Sequence, residues 1–424
     1  MTYSVLPNLI ALAILVAVFR AILRQGTTQR LHLWLAGWIL VLVHFVAQFL
    51  DPGTGTWNRV ATAVELDALL LAAVAFLISV ATIAESDRRR QLLLAAAVAI
   101  PSIVYTNAVI WDVTARSFYY GVLAVGVLAT ATVFCRYYGR LTVYAVNVLL
   151  GLLLVSLGIA FAVARGAPDL GIIWILAYLN FVVGILYWRR YQRGTAGVLT
   201  SVAGFGLWGA VFPVATLFAI YAPAVKVDSE VWNIPKYLVA VGMILTLLED
   251  QITRSKYLAY HDELTGLPNR RLLEDRLERA LASANRTGKK VAVLLLDLDR
   301  FKEVNDNFGH RVGDVALREI VGRLLTRMRA SDTLARSGGD EFTVVSTVTD
   351  GAGADVLVLD LESALAAPIE VEGHLVQTGL SIGVALYPDD GSNPDELHAA
   401  ADEAMYVAKR ANRNSINMMP QTSS

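Results

Sequence analysis

Cysteine and charge are both scarce in this sequence. The 424 residues include one cysteine, Cys135, which excludes an intrachain disulfide and a zinc or iron–sulfur site built from several cysteines. Charged residues make up 17% of the chain, whereas an ordinary soluble domain has roughly a quarter. The net charge of −1 argues against a nucleic-acid partner, because binding to a phosphate backbone requires a basic surface.

Hydrophobic sequence is abundant instead and accounts for 55% of the chain. Up to about Leu248, apolar runs recur with roughly the 20 residues that are needed to cross about 30 Å of hydrocarbon. We therefore expect residues 1–248 to be a membrane-integral, sensor-like α-helical bundle of about nine transmembrane helices. The approximate spans are 4–23, 31–50, 60–84, 92–111, 117–135, 141–163, 170–187, 198–222 and 231–248.

Basic residues are distributed unevenly between the connections of these spans. The positive-inside rule places the arginine-rich connections in the cytoplasm. With nine spans, the N-terminus then lies outside and the second half of the chain lies in the cytoplasm. The arginine-rich connections contain Arg20, Arg24 and Arg30; Arg88, Arg89 and Arg90; Arg136 and Arg140; Arg189, Arg190 and Arg193. The intervening connections contain fewer basic residues, mainly Arg59, Arg116, Arg165, Lys226 and Lys236.

A few polar and ionisable residues lie inside the expected spans. His44 and Gln48 are four residues apart on the second span and so share one helical face, and Glu65 and Asp67 lie early in the third. Two interpretations stay open. These groups form an external pocket for an unknown ligand, a proton or a metal, or they are interhelical and interfacial hydrogen-bonding groups.

The polarity of the chain changes abruptly after Leu248. No proline or glycine intervenes before Gly266, so residues 249–257 are expected to continue the last span as a helical linker. Leu245, Leu248 and Ile252 follow the 3,4 spacing of a coiled-coil seam. The segment suits either a solvated linker or a dimerisation coil.

Carboxylates accompany extended segments in the second half. The apolar run from Val291 to Leu296 predicts a strand that is buried on both faces of an α/β sheet, and Asp297 follows it directly. Gly338-Gly339 lies between two extended runs and predicts a tight hairpin that presents the carboxylates of residues 340 and 341 at a turn. Magnesium prefers oxygen ligands and shares them with substrate phosphates. The pattern therefore predicts metal-assisted nucleotidyl or phosphoryl transfer.

Two helices are also expected in this half. One is predicted near Pro394–Arg410 and carries Lys409 near its end. The other should bury one face, because its apolar residues recur at spacings of 3 and 4. These residues are Leu317, Ile320, Val321, Leu324, Leu325 and Met328.

Several short motifs follow one another between residues 258 and 418. They are Asp262–Arg270, Asp297–Lys302, Asn305-Asp306, Gly309-His310, Gly313-Asp314, Gly338–Phe342, Ser381–Val384, and Ala401-Asp402 to Arg413-Asn414. This ordered set resembles the GGDEF domains, the diguanylate cyclases, and leaves residues 419–424 as a tail. The resemblance implies an α+β, palm-like fold similar to the nucleotidyl cyclases. It also implies a homodimer in the bacterial inner membrane that condenses two GTP into cyclic di-GMP.

The resemblance assigns chemistry to individual positions. It implies a Mg²⁺ (or Mn²⁺) site formed by Asp297, the backbone carbonyl of Leu298 and Asp340. Asp340 or Glu341 is expected to help deprotonate the attacking 3′-hydroxyl, and the choice between them stays open. Arg336 is expected to stabilise the hairpin.

The remaining assignments concern substrate and product. The guanine base is expected to contact Asn305, Asp314 and His310, and the phosphates are expected to contact the backbone at Phe301 and Lys302 together with Lys409 and Arg413. Two simpler alternatives stay open: Asp314 caps the helix that follows it, and Arg413 is a solvated cation. Arg329 and Asp332 match the R-x-x-D product-inhibition site of the family; otherwise they form a solvated helix end.

Two other functions stay open. A degenerate GGDEF domain would bind GTP or cyclic di-GMP without turnover, although Asp297, Asp340 and Glu341 are all retained here. A transporter or channel with a regulatory tail would need a polar pathway through several spans, and the first half has only scattered polar residues.

Overall fold

The computed structural model describes residues 5–25, 29–81, 88–138, 143–192, 194–224 and 229–417. The chain divides into two compact units, Met1–Asp250 and Gln251–Ser424. In its described residues the first unit is helical, whereas the second combines helices with two β-sheets.

Nine helices within the described residues are long and apolar enough to cross a membrane, the number that was expected. They are α1 Leu6–Gln25, α2 Gln29–Leu50, α3 Gly55–Val80, α4 Arg88–Ile110, α5 Arg116–Tyr138, α6 Val143–Ala164, α7 Asp169–Tyr191, α8 Ala196–Tyr221 and α9 Ser229–Tyr260. Helix α3 begins at Gly55, a little before the approximate start at 60. Arg59 and Lys236 were assigned to connections but lie inside α3 and α9, and Lys236 is buried there.

Aromatic side chains fill much of the interior of the first unit. Trp34, Trp38, Phe76 and Phe205 are fully buried. The rings of Trp38 and Phe76 lie 5.4 Å apart, and those of Phe76 and Phe205 lie 5.7 Å apart. Such contacts contribute about 0.5–1.5 kcal/mol each beyond area burial and connect α2, α3 and α8.

The second unit consists of a four-stranded sheet, a small two-stranded sheet and five helices. The main sheet has the strand order β2-β3-β1-β6, and β4 pairs only with β5. The elements are α10 Arg270–Thr287, β1 Lys290–Leu298, α11 Phe301–Phe308, α12 His310–Thr326, β2 Thr333–Gly338, β3 Glu341–Val348, α13 Gly351–Ala364, β4 Ile369–Val371, β5 His374–Val376, β6 Leu380–Tyr387 and α14 Pro394–Asn417.

Strand β1 is central and antiparallel to both of its neighbours, β3 and β6. Its side chains alternate between two cores, as the period of two in a strand requires. Leu294 and Leu296 pack with α12 and α13, whereas Val291 and Val293 pack with α10 and α14. The run is therefore buried on both faces, as predicted, although the sheet is antiparallel.

Helices α12 and α14 differ in detail from the two helices that were predicted for this half of the chain. Helix α12 ends at Thr326, so Met328 lies beyond it, and Leu325 is 48% exposed rather than buried. Leu324 is the residue that points into the core at this turn and is fully buried, so its neighbour Leu325 points outward. Helix α14 continues past Arg410 to Asn417.

Candidate active site

The alternation along β1 directs the side chain of Asp297 toward α14. Asp297 is 5% exposed, and its Oδ2 accepts a hydrogen bond of 2.7 Å from Lys409 Nζ. Gly383 on β6 makes this approach possible, because a Cβ there would lie 2.3 Å from the backbone nitrogen of Met405. Helix α14 thus lies directly on the sheet, and Lys409, one turn after Met405, reaches the end of β1.

The hairpin between β2 and β3 places two further carboxylates beside this strand end. Glu341 is the register partner of Asp297, and the Leu298 N–H donates to the Asp340 carbonyl at 3.2 Å. Glu341 is exposed and Asp340 is half-buried. Asp297 therefore meets the adjacent pair Asp340-Glu341, which is more than 40 positions away in sequence, at one edge of the sheet. The ammonium group of Lys409 lies beside Asp297.

A helix N-terminus follows immediately after β1. Arg300 adopts a left-handed conformation with φ 59° and precedes α11, and its side chain does not cap the helix. Phe301 is buried and anchors the first turn, whereas Lys302 is exposed. The first N–H groups and the dipole of a helix favour an anion, so this turn is suited to phosphate.

The expected guanine-reading residues lie on two successive helices. Asn305 on α11 contacts the backbone of α12 at Gly313, where an added Cβ would lie 2.0 Å from the Asn305 Oδ1. Asp314 is the next residue, and His310 lies one turn earlier on α12. Asp314 is the fifth residue of α12, so the alternative that it caps this helix is wrong. It is exposed, as is His310, and Asn305 is half-buried.

Arg336 connects the hairpin to the turn that precedes α10. Its guanidinium donates to the Asp262 carboxylate at 2.9 Å and to the Gly339 carbonyl at 2.7 and 3.0 Å. Thr265 also donates to Asp262, from its hydroxyl at 2.6 Å and its backbone at 2.9 Å. Burial acts to raise the pKa of Asp262, but the hydrogen bonds from Thr265 and Arg336 outweigh it and hold the pKa below its usual range.

Arg336→Met is expected to lower the free energy of unfolding of the second unit by about 2 kcal/mol, because it removes charge-assisted hydrogen bonds. The folded state depresses the pKa of Asp262, so this stability is present above the usual carboxyl value of roughly pH 4. It is lost as the pH falls through the lower folded pKa. Denaturant unfolding at several pH values measures both effects.

Arg270→Met is the matched control for this prediction. Arg270 also pairs with a carboxylate, Glu274, at 3.0 Å, but in an exposed i,i+4 pair with side chains 73% and 48% exposed. Such a pair is worth about 0.5 kcal/mol or less. Equal losses of stability in the two variants would contradict the structural role of Arg336.

Arg329 and Asp332 lie away from these residues, after the end of α12. One Asp332 carboxylate oxygen accepts from the Arg329 backbone at 2.9 Å, and the other accepts from the Ser346 hydroxyl at 2.8 Å. The Arg329 side chain is exposed. A surface recess of about 280 Å³ includes both residues together with Lys289 and Arg327, so several cations surround it.

The donor set at the strand end suits a hard divalent cation, because it consists of carboxylate and carbonyl oxygens. The buried Asp297 already binds one cation, the ammonium of Lys409. Among the residues that the structure describes, no group of three or more His, Cys, Asp or Glu side chains is arranged to hold a metal ion. A site of two carboxylates and one carbonyl relies on further oxygens from the substrate.

The structure brings together the predicted residues at the strand end, and separately places Asn305 against α12 beside Asp314. Lys409 is paired with Asp297, a contact that no sequence pattern indicated. Arg413 lies outside the residues whose side chains are described. Asp262 was part of a motif but had no assigned role, and its proximity to Arg336 could be found only from the fold.

The second unit matches known proteins. Residues 259–415 match the family described as diguanylate cyclase, GGDEF domain. The bifunctional diguanylate cyclase/cyclic di-GMP phosphodiesterase MucR of Pseudomonas aeruginosa is 37% identical over 61% of this chain and 38% of its own length. The diguanylate cyclase TpbB of the same species is 45% identical over 40% of this chain and 39% of its own length.

A solved structure is also similar to this region. The crystal structure of the GGDEF domain of TpbB is 46% identical and covers 35% of this chain and 92% of that chain, with a TM-score of 0.34. The chain spans less than two fifths of the length of MucR and of TpbB.

Proposed function

We propose that this chain, in which residues 259–415 form a GGDEF domain, is a membrane-bound diguanylate cyclase that condenses two GTP into cyclic di-GMP and two pyrophosphates. The observation that carries the proposal is the meeting of Asp297, Asp340 and Glu341 at one sheet edge, beside the N-terminus of α11. Negative metal ligands and a phosphate-binding turn are adjacent there, as nucleotidyl transfer requires.

The residues divide the work as follows. Asp297, the Leu298 carbonyl and Asp340 would hold Mg²⁺ or Mn²⁺, and the bound ion would neutralise triphosphate charge and polarise the reacting phosphate. The backbone at Phe301 and Lys302 holds the β- and γ-phosphates. Lys409 is close enough to Asp297 to exchange that carboxylate for a phosphate oxygen. Asp340 or Glu341 accepts the proton of the attacking 3′-hydroxyl.

Asn305 and Asp314 recognise the guanine base in this proposal. His310 lies one turn before Asp314 on the same face of α12. A carboxylate accepts hydrogen bonds from the N1–H and N2–H groups of guanine, a pair that adenine lacks. Asp314→Ala should therefore raise the KM for GTP and weaken discrimination against ATP, at a cost of about 2–4 kcal/mol. Steady-state kinetics with both nucleotides measure the effect.

Glu319→Ala is the control for that substitution. Glu319 is an exposed acid on the same helix, five residues after Asp314, and pairs with Arg323 at 3.5 Å. GTP kinetics should be unchanged in this variant. Unchanged kinetics in Asp314→Ala as well would leave Asp314 as a solvated surface residue.

The enzyme works as a homodimer in this proposal, because each active site joins GTP molecules from two subunits. Residues 251–259 at the end of α9 are exposed, and Leu248 and Ile252 are 51% and 46% exposed. A second copy of the same helix is the occupant that this repeating apolar edge suits. In this proposal α1–α9 span the bacterial inner membrane, and the arginine-rich connections put the domain on its cytoplasmic side.

Product inhibition is part of the same proposal. The exposed guanidinium of Arg329 and the carboxylate of Asp332 offer complementary donors and acceptors to a guanine base. The recess around them contains the cations that a cyclic dinucleotide with two phosphates needs.

One experiment tests the central proposal. The purified full-length protein is supplied with GTP and magnesium, and cyclic di-GMP is sought by mass spectrometry, with and without added product. Formation of cyclic di-GMP supports synthesis. Tight binding of GTP without turnover supports the second candidate, a degenerate regulatory domain.

A further inference from the structure

Lys236 is a buried cation on α9, with 8% exposure. Its Nζ donates to Asn233 Oδ1 at 2.8 Å and lies 4.6 Å from the centre of the Phe45 ring and 6.0 Å from that of Trp208. Side chains from α2, α8 and α9 therefore surround the ammonium group. These contacts supply dipoles and π-electrons but no full negative charge, and a lone buried charge is costly.

An acid on α3 belongs to the same group of side chains. One carboxylate oxygen of Glu65 lies 3.6 Å from His44 Nδ1 on α2, and the neighbouring residue Phe45 carries the ring that Lys236 contacts. His44 Nδ1 is also 3.2 Å from the backbone oxygen of Glu65, and its ring contacts Phe45 at 4.8 Å. The side chains of His44 and Glu65 are 6% and 22% exposed, so the acid is the less buried of the two. Three ionisable groups from three helices thus form one cluster.

Three other acids on these helices or beside them have different partners. Asp51, just after α2, accepts from the Gly53 N–H at 2.9 Å, and Asp67 on α3 accepts from Asn107 of α4 at 2.9 Å. Glu230 on α9 accepts from Asn8 of α1 at 3.1 Å. Helix α8 contributes the uncharged ring of Trp208. Among these acids Glu65 is the one that lies against His44, next to the Phe45 ring that Lys236 contacts.

The cluster lies near the helix ends that the proposed topology places outside the cell. Lys236 follows the start of α9 at Ser229 by 7 residues (236 − 229), which is about 10 Å along the helix axis. His44 precedes the end of α2 by 6 residues (50 − 44), and Glu65 follows the start of α3 by 10 (65 − 55). A lysine at this depth can reach polar surroundings if its helix shifts outward.

We propose that Glu65, His44 and Lys236 form a proton-binding site that couples the pH outside the cell to the position of α9. A proton from the outer water adds to the Glu65 carboxylate, and the net charge of the cluster rises by one. Lys236 then lacks its counter-charge in a medium of low dielectric constant, which favours a shift of α9 toward the outer surface. Because α9 continues to Tyr260, the shift moves the segment that precedes the cyclase domain.

The activity readout of this site rests on the proposed cyclase function. Inside-out vesicles expose the GTP-consuming domain to the bath at a fixed pH, while the lumen is set between roughly pH 5 and pH 8. The rate of cyclic di-GMP formation should change about fivefold or more across that range. The rate should depend on the pH of the lumen and not on the pH of the bath.

Three variants distinguish proton binding from a packing role. Glu65→Gln imitates the protonated acid, so at neutral lumen pH it should show the wild-type rate measured at acid pH. Lys236→Met has no charge to release and should make the rate independent of lumen pH. Asp67→Asn changes the other acid of α3 and should retain the full response.

Infrared difference spectra of the purified full-length protein test protonation without any catalysis. A carboxylic-acid C=O band should appear on acidification, be absent in Glu65→Gln and persist in Asp67→Asn. Persistence of the band in Glu65→Gln, or its absence in the wild type, overturns the proton site. A titrating band with a rate that ignores lumen pH overturns the coupling to α9. Failure to make cyclic di-GMP in any vesicle instead contradicts the proposed function, and the spectra still decide protonation.

Discussion

Asp340→Ala is expected to lower the rate of cyclic di-GMP formation by about a thousandfold or more. The substitution removes a carboxylate that holds the metal ion at the reacting phosphate, and a charge preorganised at that point contributes several kcal/mol to transition-state stabilisation. Folding should be retained, since the Leu298 N–H donates to the Asp340 backbone carbonyl, which alanine keeps. Single-turnover rates with saturating GTP and magnesium measure the chemical step.

Two further variants, Asp355→Ala and Glu341→Gln, serve as comparisons for this expected result. Asp355→Ala removes an exposed acid from α13 and should leave the rate unchanged. Glu341→Gln retains the shape of its side chain, so a loss as large as that in Asp340→Ala would assign proton acceptance to Glu341. Near-normal turnover in Asp340→Ala, with thermal unfolding unchanged, would contradict the metal assignment.

The second large effect is expected from separating the two units. A fragment from Tyr257 onward contains the complete main sheet and helices α10–α14, and it should fold without lipid. Its activity per molecule should nevertheless rise steeply with concentration, because the 3′-hydroxyl of one GTP must reach the α-phosphate of another on a second domain. Activity and sedimentation measured over the same dilution series check this.

Fusion of a dimeric coiled coil to the fragment should restore activity at high dilution. The tether turns the encounter into an intramolecular one with an effective concentration of about millimolar. A monomeric helix of equal length is the matched control and should restore nothing. Specific activity that stays flat and high on dilution would show that neither the membrane region nor α9 controls encounter.

A related substitution tests the contribution of α9 in the intact chain. Leu248 and Ile252 are exposed and lie four residues apart, so aspartates at both positions would place like charges along the proposed seam. The full-length variant should lose activity and dimerise less in sedimentation, while its binding of GTP stays unchanged. Loss of GTP binding would instead indicate a defect in the active site.

Much of the site could be predicted because its residues lie in short local motifs. The hairpin at Gly338-Gly339 follows from two glycines between extended runs, and its acids lie at the turn as expected. The buried strand before Asp297 follows from six consecutive apolar residues. Such patterns depend on interactions between near neighbours in the chain, which the order of residues specifies directly.

The pairing of Lys409 with Asp297 could not be predicted in this way. The two residues are 112 positions apart, and they meet only because β1 and β6 are adjacent and α14 lies directly on Gly383. The same limit applies to Asp262 and Arg336, which are 74 positions apart. Hydrophobic periodicity identifies which face of an element is buried but not which element covers it.

The sequence by itself determined the division into an apolar and a polar half, the nine long helices of the first and the hairpin and strand that carry the acids of the second. These features depend on composition and on spacings within one element. Only the tertiary structure decided that Asp314 lies within a helix rather than at its cap, and that the sheet is antiparallel. It also decided that Lys236 is a buried cation beside Asn233 and Phe45 rather than a loop residue, because burial depends on the helices that pack around a position.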